Sequence, residues 1–183
     1  MRHLSFLLIF FLAVFYYLSN AQNLKSELII HFPFNNDLEE ANGVSSISQG
    51  YSSFVNGRWE ENNSALKMEN GFILSTNESS GALQSFSIAF WLKTNSNAGG
   101  KIIGFESTQF ALSQSYDRHI QMGPEGRINF CIWPHKTVVL TSPKPYNDNQ
   151  WHFVVATNGE RGAKLYVDNI LVNSTGFQNL APY

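Results

Sequence analysis

The sequence predicts an all-β protein: a two-sheet antiparallel β-sandwich, or jelly roll, behind a short export leader. Three observations point there. Apolar and polar residues alternate along most of the chain, which is the period of a half-buried strand. These strand-like stretches recur at intervals of about 8 to 15 residues and are separated by Gly-, Pro- and Asn-bearing turns, as in sandwiches and barrels. Beyond the leader, no window places apolar residues at helical spacing for three turns.

The leader comes first. Arg2 precedes an uninterrupted apolar run from Phe6 to Leu18, and Ser19-Asn20-Ala21 follows with the small residues that signal peptidase reads. A run this short does not cross an apolar layer about 30 Å thick as a helix. Residues 1–21 are therefore expected to be removed and residues 22–183 to form one domain. No second apolar run of spanning length follows. The expected product is secreted or held at a cell surface, with no membrane span after cleavage.

The strands are taken in order. Residues 27–34 alternate, with Leu28, Ile30, Phe32 and Phe34 on one face. Residues 65–68 and 71–74 read as two short strands around a Glu69-Asn70 turn. Phe86, Ile88, Phe90 and Leu92 alternate against Ser87, Ala89, Trp91 and Lys93. Shorter pieces fall at 101–105 and 109–112. Residues 119–122 and 127–133 flank Gly123-Pro124-Glu125-Gly126 and predict a hairpin, and 137–140 is a further strand. The clearest stretch is WHFVVATNGERGAKLYVDNILV, from Trp151 to Val172. Trp151, Phe153 and Val155 oppose His152, Val154 and Ala156. After a glycine-bearing break, Leu165 and Val167 oppose Lys164, Tyr166 and Asp168. Asp168-Asn169 stands where a two-residue hairpin turn belongs. The stretch predicts three consecutive antiparallel strands.

Composition excludes some classes. The formal charge is −2 and charged residues are 14% of the chain, with no basic run. The electrostatic footprint of a nucleic-acid binder is missing. Cys131 is the single cysteine, so no internal disulfide forms, and it reads as a small buried hydrophobe. Zinc is not expected, because His31, His119, His135 and His152 lack ligand spacing.

Several of these segments also resemble a known family. The Trp151-His152 pair opening a strand, and Leu165-Tyr166-Val167-Asp168 before a tight turn, are similar to the laminin-G-like jelly roll of the concanavalin A-like lectin/glucanase superfamily. FPFNNDLEEANG (Phe32 to Gly43), ALKMENGFILST (Ala65 to Thr76) and SFSIAFWLKTN (Ser85 to Asn95) resemble that family in the same order. The resemblance implies a recognition module more often than an enzyme. It also implies further chain after the last hairpin, whereas this chain stops at Leu180-Ala181-Pro182-Tyr183. The expectation is a fold lacking its C-terminal strand or strands. Domains of this kind often hold calcium at a sheet rim. The loop after Phe34 offers hard oxygen ligands for it, with Asp37 first and Asn36 or Asn42 second. The competing reading of that loop is an Asx turn.

Catalysis finds little support in the residues. A retaining glycosidase needs two carboxylates about 5 to 5.5 Å apart, which on a strand means alternate positions. Glu39-Glu40 and Glu60-Glu61 are adjacent instead, and no Gly-x-Ser-x-Gly occurs. No catalytic residue is nominated. Glycan recognition fares better, because it uses flat aromatic faces and planar polar groups. Trp133 and His135 end one strand of the predicted hairpin, and Arg118 and His119 open the other, so these four are the candidate ligand residues. Gln121 and Asn129 lie further along the hairpin. Trp91 and Trp151 are expected in the core, and Trp133 divides evenly between core and ligand platform. The expected function is a secreted, non-catalytic module binding an extracellular glycan, with calcium assisting. The alternatives are an adhesion domain for a surface protein and a catalytic or accessory domain of a glycoside hydrolase or lyase.

Overall fold

The computed structural model describes residues 28–39, 46–75, 83–106, 116–133 and 136–176. The chain divides into two compact units, 1–77 and 78–183, and each is described by itself. The leader, the 109–112 strand, Asn42 and His135 lie outside the described residues, as do residues 177–183.

In the first unit, β1 (Ser46–Val55) pairs antiparallel with β2 (Ala65–Ser75), from Val55 opposite Ala65 to Ser46 opposite Ser75. The register slips between Gln49 and Tyr51, where Gly50 takes a φ of 89°. This corrects two expectations. Residues 65–75 are one continuous strand, and Glu69-Asn70 is no turn. The reason is a partner that composition concealed: β1 is rich in Ser, so its strand character comes from pairing. The alternating residues 28–34 also form no strand. Pro33 removes a donor, and Phe34 and Asn36 take left-handed φ values of 55° and 63°, which end an extended run.

The second unit is the sandwich. β3 (Phe86–Leu92), β8 (His152–Asn158), β9 (Lys164–Val167) and β10 (Ile170–Ser174) form one sheet in the order β10-β9-β8-β3. β4 (Gly100–Glu106), β5 (Tyr116–Met122), β6 (Ile128–Ile132) and β7 (Val138–Thr141) form the other in sequence order. Every pairing is antiparallel. The inner face of the first sheet brings Val154, Ala156, Leu165 and Val167; the second brings Ile120, Met122, Ile128, Phe130, Ile132 and Leu140. These side chains form one buried cluster, and burying apolar surface at about 25 cal/mol per Å² is what holds the layers together. Phe86 meets Phe130 edge-on across the layers at 6.3 Å. At one side Asn173 Nδ2 donates to the Thr141 carbonyl at 2.9 Å, tying edge strand β10 to edge strand β7.

The turns follow their sequence signals. Asp168 and Asn169 take φ values of 52° and 65°, the double left-handed geometry of a two-residue hairpin. Gly126 closes the β5–β6 turn at φ 78°, donating to the Gly123 carbonyl at 2.9 Å. Trp91 departs from the core expectation. It shares its strand with inward Phe90 and Leu92, so the pleat turns it outward, where it stacks on Phe153 at 4.9 Å and stays 41% exposed. Trp151 is half-buried. Cys131 is buried, as expected, and burial pushes its thiol up to about 11.

Candidate functional site

The hairpin nominated from sequence sits in the middle of the second sheet, and strand parity sorts its residues. On β5, Arg118, Ile120 and Met122 face the core, whereas His119 and Gln121 face outward. On β6, Asn129 and Cys131 lie on the outward side of the pleat, where Cys131 is nevertheless covered and buried, and Trp133 follows them at the strand end, 47% exposed. Four of the nominated or adjacent residues, His119, Gln121, Asn129 and Trp133, therefore share one side. Arg118 does not. It is buried, with its guanidinium over the Phe86 ring at 5.9 Å and a left-handed φ of 49°. Odd and even positions of a strand point to opposite faces, so adjacent Arg118 and His119 cannot serve one surface.

Cross-strand register assembles the outward side further. Lys101 stands opposite Gln121, Gln121 opposite Asn129, and Asn129 opposite Thr141. This is a row of four polar side chains crossing all four strands. The next row has His119, Cys131 and Val139. Beside the polar row lies a hollow of about 260 Å³, lined by Gly123, Pro124, Glu125, Arg127, Asn129 and Thr141. Arg127 forms one wall and is anchored there, donating to the Ser142 carbonyl at 3.0 Å and to the Pro143 carbonyl. Lys101 and Thr141 escaped sequence reading. Each looks like an ordinary outward residue, and only the strand pairing puts them in line with Gln121 and Asn129.

The calcium candidates lie in the first unit. Asp37 accepts the Glu39 N–H at 3.1 Å, an Asx turn, and Asn36 donates its backbone N–H to the Asn63 carbonyl at 2.8 Å. Calcium takes six to eight oxygens, and the described part of this loop supplies two carboxylates, Glu39 and Asp37, the latter already in a turn. Among the described residues no group of three or more His, Cys, Asp or Glu could hold a metal ion.

A second polar feature closes one end of the sandwich. His152 is inward and buried at the start of β8. Its Nδ1 lies 2.8 Å from Asp168 Oδ2 and its Nε2 2.9 Å from Asp148 Oδ1. Asp168 is held by the Phe153 N–H at 2.9 Å, and Asp148 by the Gln150 N–H at 2.9 Å. The Tyr146 ring meets the imidazole edge-on at 4.9 Å. Asp168 read from sequence as a turn residue, which it is; the grip of both carboxylates on His152 is set by folding.

Burial is the largest influence on His152 and pulls its pKa down. Hydrogen bonds and charges from Asp168 and Asp148 together outweigh it, so the net shift is upward from 6.5. Asp148 lies below its ordinary 3.8, first because His152 bonds to it and then because the Gln150 N–H does. A raised histidine stabilises the fold fully below its unfolded pKa, and that stability fades as pH rises through the folded value. A depressed carboxylate stabilises above its unfolded pKa, and that stability fades as pH falls through the folded value. Thermal unfolding across pH is therefore expected to show greatest stability between about pH 4 and 6.5. A maximum above pH 8, about where histidines are neutral, would contradict the cluster.

A family model described as the concanavalin A-like lectin/glucanases superfamily, of laminin-G type, matches residues 67–182. That stretch takes in β2 from Lys67 onward and the whole sandwich. No curated protein and no solved structure matches the chain. The match covers more than half of the sequence, and it agrees with the antiparallel sandwich and with the Trp151–Asp168 motif. The chain belongs to the laminin-G-like branch of the concanavalin A-like lectin/glucanase superfamily, whose domains commonly bind carbohydrates or proteins.

Proposed function

We propose that this is a secreted or cell-surface, non-catalytic recognition module, and that it binds an extracellular glycan on the outward side of the β4-β5-β6-β7 sheet. The observation that carries the reading is the polar row Lys101–Gln121–Asn129–Thr141 beside its hollow. Planar amides and a hydroxyl can pair with sugar hydroxyls. Trp133, two pleats further along β6, adds an exposed indole for a sugar face. From Asn129 to Trp133 is about 13 Å at 3.3 Å per residue, with buried Cys131 between them. Among the described side chains of the row and hollow, Glu125 is the single carboxylate, and glycoside hydrolysis by a retaining or inverting route uses two.

Affinity electrophoresis through gels carrying soluble polysaccharides, run with and without calcium, tests the reading. One polysaccharide should retard the protein. Asn129→Ala should weaken that retention by about 1–2 kcal/mol, roughly 5- to 30-fold, through a lost hydrogen bond, and Trp133→Ala by a comparable amount through lost stacking. Retention of nothing, with or without calcium, overturns it.

A second reading, an adhesion domain for a protein surface, is favoured by the other sheet. Its outward side exposes Trp91 and Leu171. Under that reading Trp91→Ser abolishes cell-surface attachment and leaves polysaccharide retention unchanged.

A further inference from the structure

The His152 cluster reaches the proposed ligand hollow through the β7–β8 loop. Tyr146 donates its N–H to the Gly126 carbonyl at 2.8 Å, and Asn149 its N–H to the Thr94 carbonyl at 2.9 Å. Asn147 Nδ2 bonds the Ser96 carbonyl at 3.1 Å and Asn97 Oδ1 at 2.7 Å. The Asn147 amide occupies the space where a side chain on Gly126 would go. At the start of the loop, Ser142 Oγ accepts the Ile128 N–H at 3.0 Å and donates to the Lys144 carbonyl at 2.8 Å. The loop therefore braces the Gly123–Arg127 turn, whose other side forms the hollow. The far end of the loop is pinned by Asp148 on His152.

We propose that His152 is a protonation-dependent latch: as imidazolium it holds the 142–150 loop against the Gly123–Arg127 turn, and as neutral imidazole it lets go of Asp148 and loosens the wall of the ligand hollow. The hydrogen-bond arithmetic requires it. An imidazolium has two N–H donors and satisfies both carboxylates; a neutral ring has one donor and one lone pair. Asp168 is fixed by the Phe153 N–H and keeps the donor. Asp148 then faces a lone pair, and its remaining described bond is to Gln150 within its own loop. Among the described residues, the titratable groups facing His152 are Asp148 and Tyr146 from the loop and Asp168 from the β9–β10 turn. Lys144 lies one layer out, with Nζ 5.1 Å from the Tyr146 ring centre. Leu92, opposite His152 on β3, brings no charge. The two carboxylates outnumber the one ring, which favours the imidazolium, and its upward pKa agrees. The latch itself rests on this geometry; its effect on a ligand rests on the glycan reading.

Amide hydrogen exchange on the ligand-free protein tests the latch, so a failed glycan screen does not touch it. Protection of the Tyr146 and Asn149 amides, corrected for intrinsic base catalysis and referenced to Phe130, is expected to fall about tenfold as His152 loses its proton, tracked by its ring NMR shifts. Asp148→Asn should remove that pH dependence while keeping the protection, because the amide N–H donates to the neutral ring. Protection that does not change while His152 titrates, or that falls equally in Asp148→Asn, overturns the proposal. Should that variant fail to fold, the wild-type titration alone decides.

Discussion

Phe130→Ala is expected to destabilise the sandwich by about 3–5 kcal/mol in chemical denaturation, without a change of fold. Phe130 is fully buried at the centre of β6. Its register partners are Ile120 on β5 and Leu140 on β7, both buried, and Phe86 meets it from the opposite layer. Truncation removes the transfer term of a whole ring. It also leaves a cavity that neighbours fixed in two hydrogen-bonded ladders cannot collapse to fill. The loss approaches the whole stability of a typical domain. Phe153→Ala, on the outward side of β8 against half-exposed Trp91, is the control and should cost much less. Equal losses at the two positions would mean that the core does not lie between the sheets.

Gly162→Ala is expected to cost about 2–3 kcal/mol, combining left-handed strain with a backbone clash. Gly162 is buried between β8 and β9 at φ 91°. A Cβ there would run into the Thr175 backbone oxygen, and the Thr175 N–H is bonded to the Ala163 carbonyl at 2.9 Å. Neither side can give way without opening the chain leaving β10. Gly159 lies in the same turn without a left-handed φ, and a Cβ there meets Ser85 Oγ at an ordinary 3.6 Å. Gly159→Ala should therefore change stability by less than about 1 kcal/mol. Urea midpoints of the two variants compare the positions directly. Similar midpoints would place the strain elsewhere.

The same contrast between local and non-local causes separates what was legible in the sequence from what was not. Eight strands of the sandwich coincide with stretches read as strands from the sequence, apart from up to three residues at their ends. The Asp168-Asn169 turn was visible because two residues able to take left-handed φ stood between two alternating runs. The family was visible because the Trp151–Asp168 wording is itself local. The first unit was misread where pairing overrode composition. Ser-rich β1 becomes a strand because β2 lies beside it, and alternating residues 28–34 do not because Phe34 turns the chain.

The candidate site was half legible. Asn129, Gln121, His119 and Trp133 were in view, but Arg118 was grouped with them although adjacent strand residues point apart. Lys101 and Thr141 carried no signal at all. The two carboxylates on His152 lie 4 residues before it and 16 after it in the chain, and no spacing rule joins them.

Alternation fixes which side of a pleated strand each residue occupies, because that follows from the covalent geometry of neighbouring residues. It is silent on which strand lies alongside and in what register, because those choices minimise the exposed apolar area of the whole sandwich at once. The layers, the tight turns and the family therefore came from the linear text. The four-strand polar row, the hollow beside it and the Asp148–His152–Asp168 cluster came from the pairing of distant segments.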